Sequence, residues 1–190
     1  IIHICGASGS GKTTLGHKLC EYYKRKAIVI DLDIMLFEYV KKLEESKLSV
    51  EVIEDTWIKL YQSHLDEEIS KIKNKLTIFV GLKTSIGSIN FRGKKFDPPK
   101  HFYDLHADKT YYIDLPEEQI LRQKFFRSVM KLAERKERYF TADQKDLFYM
   151  VDIQRWKKEI HAWAKVYKRM NYTFLTPDEI FNQILAAHPK

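Results

Sequence analysis

The sequence predicts an α/β domain, a parallel sheet with helices on both faces, and three observations carry that prediction. Short β-branched or apolar runs alternate with longer stretches of helical period along the 190 residues. The first run leads directly into the glycine-rich stretch Gly6-Ala7-Ser8-Gly9-Ser10-Gly11-Lys12-Thr13 and on into a helical pattern. The second run ends in Asp31-Leu32-Asp33, at the carboxyl end of its strand, which is where open parallel sheets bind ligands.

Taken in order, Ile1–Cys5 reads as the first strand and residues 12 to about 24 as the first helix. Ala27–Ile30 is a short β-branched strand, followed by a helix from Ile34 to about Glu45. Val50 to Lys75 carries Val52, Trp57, Leu60, Tyr61, Leu65 and Ile69 close to helical spacing. Leu76–Leu82 is a third, buried strand. Residues 83–109 hold Gly87, Gly93 and Asp97-Pro98-Pro99 and read as a long irregular segment, a length usually kept for function. Thr110–Leu115 is the fourth strand, with Pro116 at the favoured first position of the next helix. A break near residues 139–141 precedes a helix from about Ala142 to Met170, and Tyr172–Leu175 is the fifth strand. Thr176-Pro177-Asp178-Glu179 spells a capping box for the last helix. One domain, residues 1–190, is expected.

The stretch Gly6–Thr13 fits G-x-x-x-x-G-K-[ST], and average residue usage produces that pattern by chance in roughly one chain of this length in a hundred. Its strand-before, helix-after context is that of a phosphate-binding loop. Backbone N–H groups of Gly6, Ala7, Ser8, Gly9, Ser10, Gly11, Lys12, Thr13 and Thr14 would face an anion, helped by the helix dipole. Lys12 would reach the β- and γ-phosphates, and the Thr13 hydroxyl would ligate Mg²⁺. A nucleoside triphosphate, ATP in the first instance, is the expected ligand, with Mg²⁺ as its companion.

Composition sets the surrounding limits. The net charge is +7, with 33 basic and 26 acidic side chains. Residues 1–95 hold 16 basic and 12 acidic groups and residues 96–190 hold 17 and 14, so the excess is spread rather than gathered into a tail. That suits a nucleotide enzyme at least as well as a nucleic-acid binder. No run approaches the ~20 apolar residues of a membrane-spanning helix, and no signal-peptide pattern appears. Cys5 and Cys20 lack metal or redox spacing and read as small core residues of a reducing, cytoplasmic setting. The chain opens at Ile1, already inside a strand and without methionine, as a shortened polypeptide would.

Alternation along an extended segment would point Asp31 and Asp33 the same way. One would hold Mg²⁺ through water while the other accepts a proton from an attacking hydroxyl. The alternative is that Asp33 only caps the following helix. The phosphate loop, the D-x-D after strand two and the Leu115-Pro116-Glu117-Glu118 to Leu121-Arg122 stretch together resemble the small P-loop kinases. This adenylate-kinase-like group includes the nucleoside and nucleotide, shikimate, gluconate and adenylylsulfate kinases and the kinase domain of polynucleotide kinases. The resemblance implies a three-layer P-loop NTPase fold, strand order 2-3-1-4-5, with a helical lid. It also implies that Asp31 assists the metal and Asp33 contacts or activates the acceptor hydroxyl. Two departures shape the expectation. Phe79-Val80-Gly81-Leu82 carries no aspartate, which argues against a motor or AAA-type NTPase. No arginine occurs between Arg25 and Arg92, where shikimate-type enzymes place one for the substrate carboxylate.

Phosphoryl transfer needs a cation over the transferring group. Arg122, Lys124, Arg127, Lys131, Arg135 and Arg138 follow the fourth strand, in the lid region at about 122–141, and Arg122 and Arg127 are the preferred candidates. The acceptor pocket should draw on the second helix, the Gly81 strand end and the 83–109 segment. Lys83, Arg92 and His106 are its polar candidates, with Trp57 and Tyr61 as stacking rings and Arg92-Gly93-Lys94-Lys95 as a possible nucleic-acid contact. The sequence therefore predicts an ATP- and Mg²⁺-dependent kinase acting on a small-molecule hydroxyl, on a nucleoside or nucleotide. Its rivals are a polynucleotide 5′-hydroxyl kinase, a nucleoside-monophosphate kinase and a nucleotide-switched binding module. Nucleic acid is not the favoured partner, no membrane contact is expected, and the oligomeric state is left open.

Overall fold

The computed structural model describes residues 1–72, 75–84, 89–134 and 152–189. Its strands are β1 (Ile2–Cys5), β2 (Ala27–Asp31), β3 (Leu76–Val80), β4 (Ile89–Phe91), β5 (Lys94–Phe96), β6 (Lys109–Ile113) and β7 (Thr173–Leu175). Its helices are α1 (Lys12–Tyr23), α2 (Leu32–Glu45), α3 (Val50–Lys71), α4 (Glu117–Glu134), α5 (Ile153–Arg169) and α6 (Pro177–Ala187), with a 3-10 turn at Lys24–Lys26. Five strands form one sheet in the order β2-β3-β1-β6-β7. Counting only those strands, this is the expected 2-3-1-4-5; the labels shift because the hairpin β4–β5 intervenes.

The chain folds as two compact units, residues 1–4 with 16–110, and residues 5–15 with 111–190. In the first unit, β3 pairs in parallel with both β1 and β2, and Val80 is the register partner of Ile4 and of Asp31. The carboxyl ends of β1 and β2 are therefore level. The core packs Trp57, Tyr61 and Leu65 of α3 against Tyr39 and Leu43 of α2 and against Phe91, Phe96 and Tyr103. Burial pushes the Tyr39 phenol up to about 12.

Gly16 explains how α1 reaches the sheet. A Cβ there would lie 3.0 Å from a methyl of Val29 and 3.0 Å from one of Val80, so only a bare Cα permits this approach. Gly16→Val should destabilise the chain by about 1–3 kcal/mol through overpacking, measured as a lower midpoint in thermal or urea unfolding. An unchanged midpoint would show that α1 can retreat at no cost.

The segment 83–109 is more ordered than its sequence predicts. Ile89–Phe91 and Lys94–Phe96 form an antiparallel hairpin, closed by Arg92 (φ 49°) and Gly93 (φ 75°). Two consecutive positive φ values make the two-residue turn that matches strand twist. The Arg92 guanidinium then reaches back over the carboxyl end of α2. It donates from Nε and Nη2 to Glu44 O (3.2 and 3.0 Å), from Nη1 to Leu48 O (3.0 Å), and also to Ser46 O. A cation on the last carbonyls of a helix satisfies both their hydrogen bonding and the dipole. The arginine of the Arg92-Gly93-Lys94-Lys95 cluster is thus engaged as a cap, while Lys94 and Lys95 are exposed. Arg92→Ala should cost about 1–2 kcal/mol of stability and leave oligonucleotide retention unchanged across a salt series.

In the second unit β6 pairs in parallel with β7, and Tyr112 stacks on Phe174 with ring centroids 4.5 Å apart. The capping box forms as expected, with Thr176 and Glu179 satisfying one another's amides. Pro116 is shifted by one position. Its carbonyl accepts from Ile120 N (3.2 Å), which makes it the cap of α4 rather than its first helical residue. The predicted break near residues 139–141, and residues 142–151 of the helix expected after it, lie outside the described residues.

Candidate active site

The phosphate loop belongs to the second unit and is built as its sequence requires. Ser10 N donates to Ala7 O (3.1 Å), and Leu15 N to Gly11 O (2.9 Å), which starts α1 directly after the turn. The Lys12 ammonium folds back and donates to Gly6 O and Ala7 O, both at 2.9 Å. Ala7 is buried with Ile120 of α4 and Ile160 of α5. Among the described residues Ser10 Oγ is buried without a hydrogen-bond partner, and a Cβ on Gly6 would sit 2.6 Å from it. A buried hydroxyl without a partner pays its full desolvation cost, which a ligand atom bonded to it would relieve. Ser8, Thr13 and Thr14 are exposed.

Helix α4 seats on this loop. A Cβ on Gly9 would lie 3.2 Å from the backbone nitrogen of Lys124. The Lys124 ammonium turns to α5, 3.0 Å from Glu159 Oε2 and 4.8 Å from the centroid of the Trp156 ring. Arg155 Nε donates to the other oxygen of the same carboxylate (2.8 Å). Burial alone would raise the Glu159 carboxyl, but its bonds to Arg155 and Lys124 outweigh that and hold it below the usual range. Arg122 and Arg127 are exposed on α4, Arg122 lying 5.9 Å from the Phe126 ring centroid. The Lys131 side chain and residues 135–141, with Arg135 and Arg138, lie outside the described residues. Sequence reasoning missed the Lys124–Glu159–Arg155 cluster; only the i, i+4 spacing of Arg155 and Glu159 could have signalled part of it.

The first unit carries the two aspartates, and here the structure corrects the sequence reading. Asp31 ends β2, and its Oδ1 accepts from Asp33 N (3.0 Å), so Asp31 is the N-cap of α2. The chain turns helical at Leu32, two residues earlier than periodicity indicated. Strand alternation therefore does not relate the two carboxylates, and the cap is Asp31, not Asp33. Asp33 is exposed in the first helical turn, where it lines a pocket with Leu32, Leu36, Tyr61, Leu65, Leu82, Lys83, Thr84, Tyr103 and Leu105. Burial chiefly, and then the charges of Tyr103 and Asp33, keep the Tyr61 phenol protonated well beyond neutral pH.

The expected acceptor elements thus meet in one pocket, but not every expected residue lines it. Trp57 is 1% exposed and donates from Nε1 to Tyr103 Oη (2.9 Å), so it supports the pocket wall instead of stacking on a ligand. His106 lies between Asp66 Oδ1 (3.3 Å) and Asp104 Oδ2 (3.5 Å), exposed and away from the pocket lining. Gly81 shows why β3 ends without a carboxylate. Its N–H donates to Ile4 O (3.2 Å), its carbonyl lies 2.9 Å from His3 Nε2, and a Cβ there would meet Leu32 Cβ at 3.3 Å. The first turn of α2 fills the space that a side chain would need.

A family profile described as an AAA domain matches residues 1–79, the stretch holding the loop and both aspartates and ending before Gly81. No curated protein matches. Among solved structures, a shikimate kinase from Bacteroides thetaiotaomicron is 17% identical, with 98% of this chain and 96% of that chain covered and a TM-score of 0.51. A shikimate kinase from Acinetobacter baumannii, in complex with shikimate, is 16% identical over 100% and 94% of the two chains, with a TM-score of 0.48. One from Aquifex aeolicus is 19% identical over 98% and 94%, with a TM-score of 0.40. The likeness to the Bacteroides enzyme shows a shared fold, a five-stranded parallel sheet with helices. No helix among the described residues is long and apolar enough to cross a membrane.

Proposed function

We propose that this chain is an ATP- and Mg²⁺-dependent phosphotransferase that phosphorylates a hydroxyl of a small molecule, a nucleoside or nucleotide. The observation that carries the reading is the glycine-rich loop of the second unit, with the Lys12 ammonium folded onto Gly6 O and Ala7 O; Asp33, in the first unit, lines a pocket of its own unit. Binding of the triphosphate would draw Lys12 from its own loop carbonyls to the phosphates and give Ser10 Oγ an acceptor. Asp33, exposed beside Lys83 and Tyr61, would orient the acceptor hydroxyl and take its proton. Arg122 or Arg127 would neutralise charge on the transferring group.

Thr13 and Asp31 would hold Mg²⁺, Asp31 through water because one of its oxygens already caps α2. Among the described residues no cluster of three or more carboxylate, imidazole or thiol groups makes a metal cage. Magnesium takes few protein ligands beside substrate phosphates, and a hydroxyl and a carboxylate are groups it accepts. When bound, Mg²⁺ would neutralise charge on the β- and γ-phosphates.

The test is transfer of label from γ-labelled ATP to a panel of nucleosides, nucleotides, sugars and oligonucleotides. A labelled small-molecule ester is the expected result. ATP binding with no transfer to any acceptor would leave the nucleotide-switched module in its place. Label on oligonucleotide 5′ ends alone would favour the polynucleotide kinase.

A further inference from the structure

Among the described residues, ion pairs join α4 and α5 at two places, and one of them lies against the phosphate loop. At the start of α4, Glu117 pairs with Lys157 (3.2 Å) and His161 (2.7 Å). Further along, Ile120 is buried with Ala7 of the loop and Ile160 of α5. One turn beyond, Lys124 meets the loop by its backbone. A Cβ on Gly9 would lie 3.2 Å from Lys124 N, 3.3 Å from its Cβ and 3.4 Å from its Cα. The loop thus rests on α4 at residues 120 and 124, which share one helix face at i, i+4 spacing.

The Lys124 side chain is only 15% exposed, and its ammonium lies 3.0 Å from Glu159 Oε2 and 4.8 Å from the centroid of the buried Trp156 ring. Glu159 Oε1 accepts from Arg155 Nε at 2.8 Å, so this carboxylate serves one cation from each helix. Such charge-assisted bonds are about twice as strong as neutral ones. An ammonium largely withdrawn from water becomes costly once its counter-charge is removed. Without Glu159 it would regain water by swinging outward, and the α4 backbone under Gly9 would loosen with it.

We infer that Glu159 is a positioning residue for the phosphate loop: through Lys124 it fixes the part of α4 on which Gly9 rests, and so keeps the loop shaped for an anion. The inference rests on the reading of the loop as a triphosphate site and adds the element that holds it ready. A loop held ready binds more tightly than one its ligand must first order.

Amide exchange of the full chain without ligand is the first measurement. Ser10 N and Leu15 N, bonded to Ala7 O and Gly11 O, report on the loop, and Asp114 N, bonded to Leu175 O, is the reference in the same unit. Glu159→Gln should speed exchange at Ser10 and Leu15 by about fivefold or more relative to Asp114. Lys124→Met should do the same, and the double variant should go little further, because both changes break one coupled pair. Glu117→Gln cuts the other ionic link between the same helices and should leave the ratio unchanged. ATP affinity, read by calorimetry with Mg²⁺ present, should fall about tenfold in Glu159→Gln and stay within about twofold in Glu117→Gln. Loop exchange that rises no more than at Asp114, or rises equally in Glu117→Gln, overturns the inference. So does full ATP affinity in a chain whose loop has loosened. A parent chain that binds no ATP removes the triphosphate reading alone, and the exchange ratio still decides the role of Glu159.

Discussion

Lys12→Ala is expected to lower phosphoryl transfer by about 10³-fold, roughly 4 kcal/mol of transition-state stabilisation. Lys12 Nζ hydrogen-bonds Gly6 O and Ala7 O at 2.9 Å, so the ammonium is held at the loop. On the proposed function, it would act by meeting charge that grows on the phosphates, which water or a neutral side chain could not match there. The fold should survive the change, because Ala7 stays buried against Ile120 and Ile160 and the Ser10–Ala7 turn bond is backbone only. Single-turnover transfer, compared with far-UV circular dichroism, separates the two effects. Transfer within tenfold of the parent chain would mean that the loop does not hold the reacting phosphate.

Asp33→Asn should be nearly as damaging, by about 10²–10⁴-fold, the usual contribution of a positioned general base. Asparagine keeps the size and can still hydrogen-bond, but it cannot take the proton. Asp31 supplies the contrast. It caps α2 through Oδ1, so Asp31→Ala should cost about 1 kcal/mol of stability, a loss that Asp33→Asn should not share. Measuring unfolding midpoint and transfer rate on both variants tells the helix cap from the proton acceptor. Full activity in Asp33→Asn would remove it from the chemistry.

Much of this was legible in the sequence. The loop motif, the five sheet strands and the capping box at Thr176 each rest on local chemistry that a short stretch fully contains. Asp31 and Asp33 stand at the end of β2 and the start of α2, and strand alternation does not relate them. Both strand alternation and an aspartate cap are local rules, and only the fold decides which applies at Leu32. The hairpin at 89–96 was hidden because Arg-Gly is a weaker turn signal than Asn-Gly and the strands are three residues each. Long-range partners left no sequence trace at all. The bond from Trp57 to Tyr103 spans 46 positions, and that from Lys124 to Glu159 spans 35.

The reach of Arg92 bears on how the chain acquires its structure. Its donors cross 44 to 48 positions to finish the carboxyl end of α2. Contacts so distant in sequence form only after the intervening loop is closed, an entropic cost met before any bond is made. The corner between α2 and α3 should therefore mature late in folding, after the hairpin turn has closed. Arg92→Ala should then speed unfolding far more than it slows folding. In a chevron plot its effect would appear almost wholly in the unfolding limb.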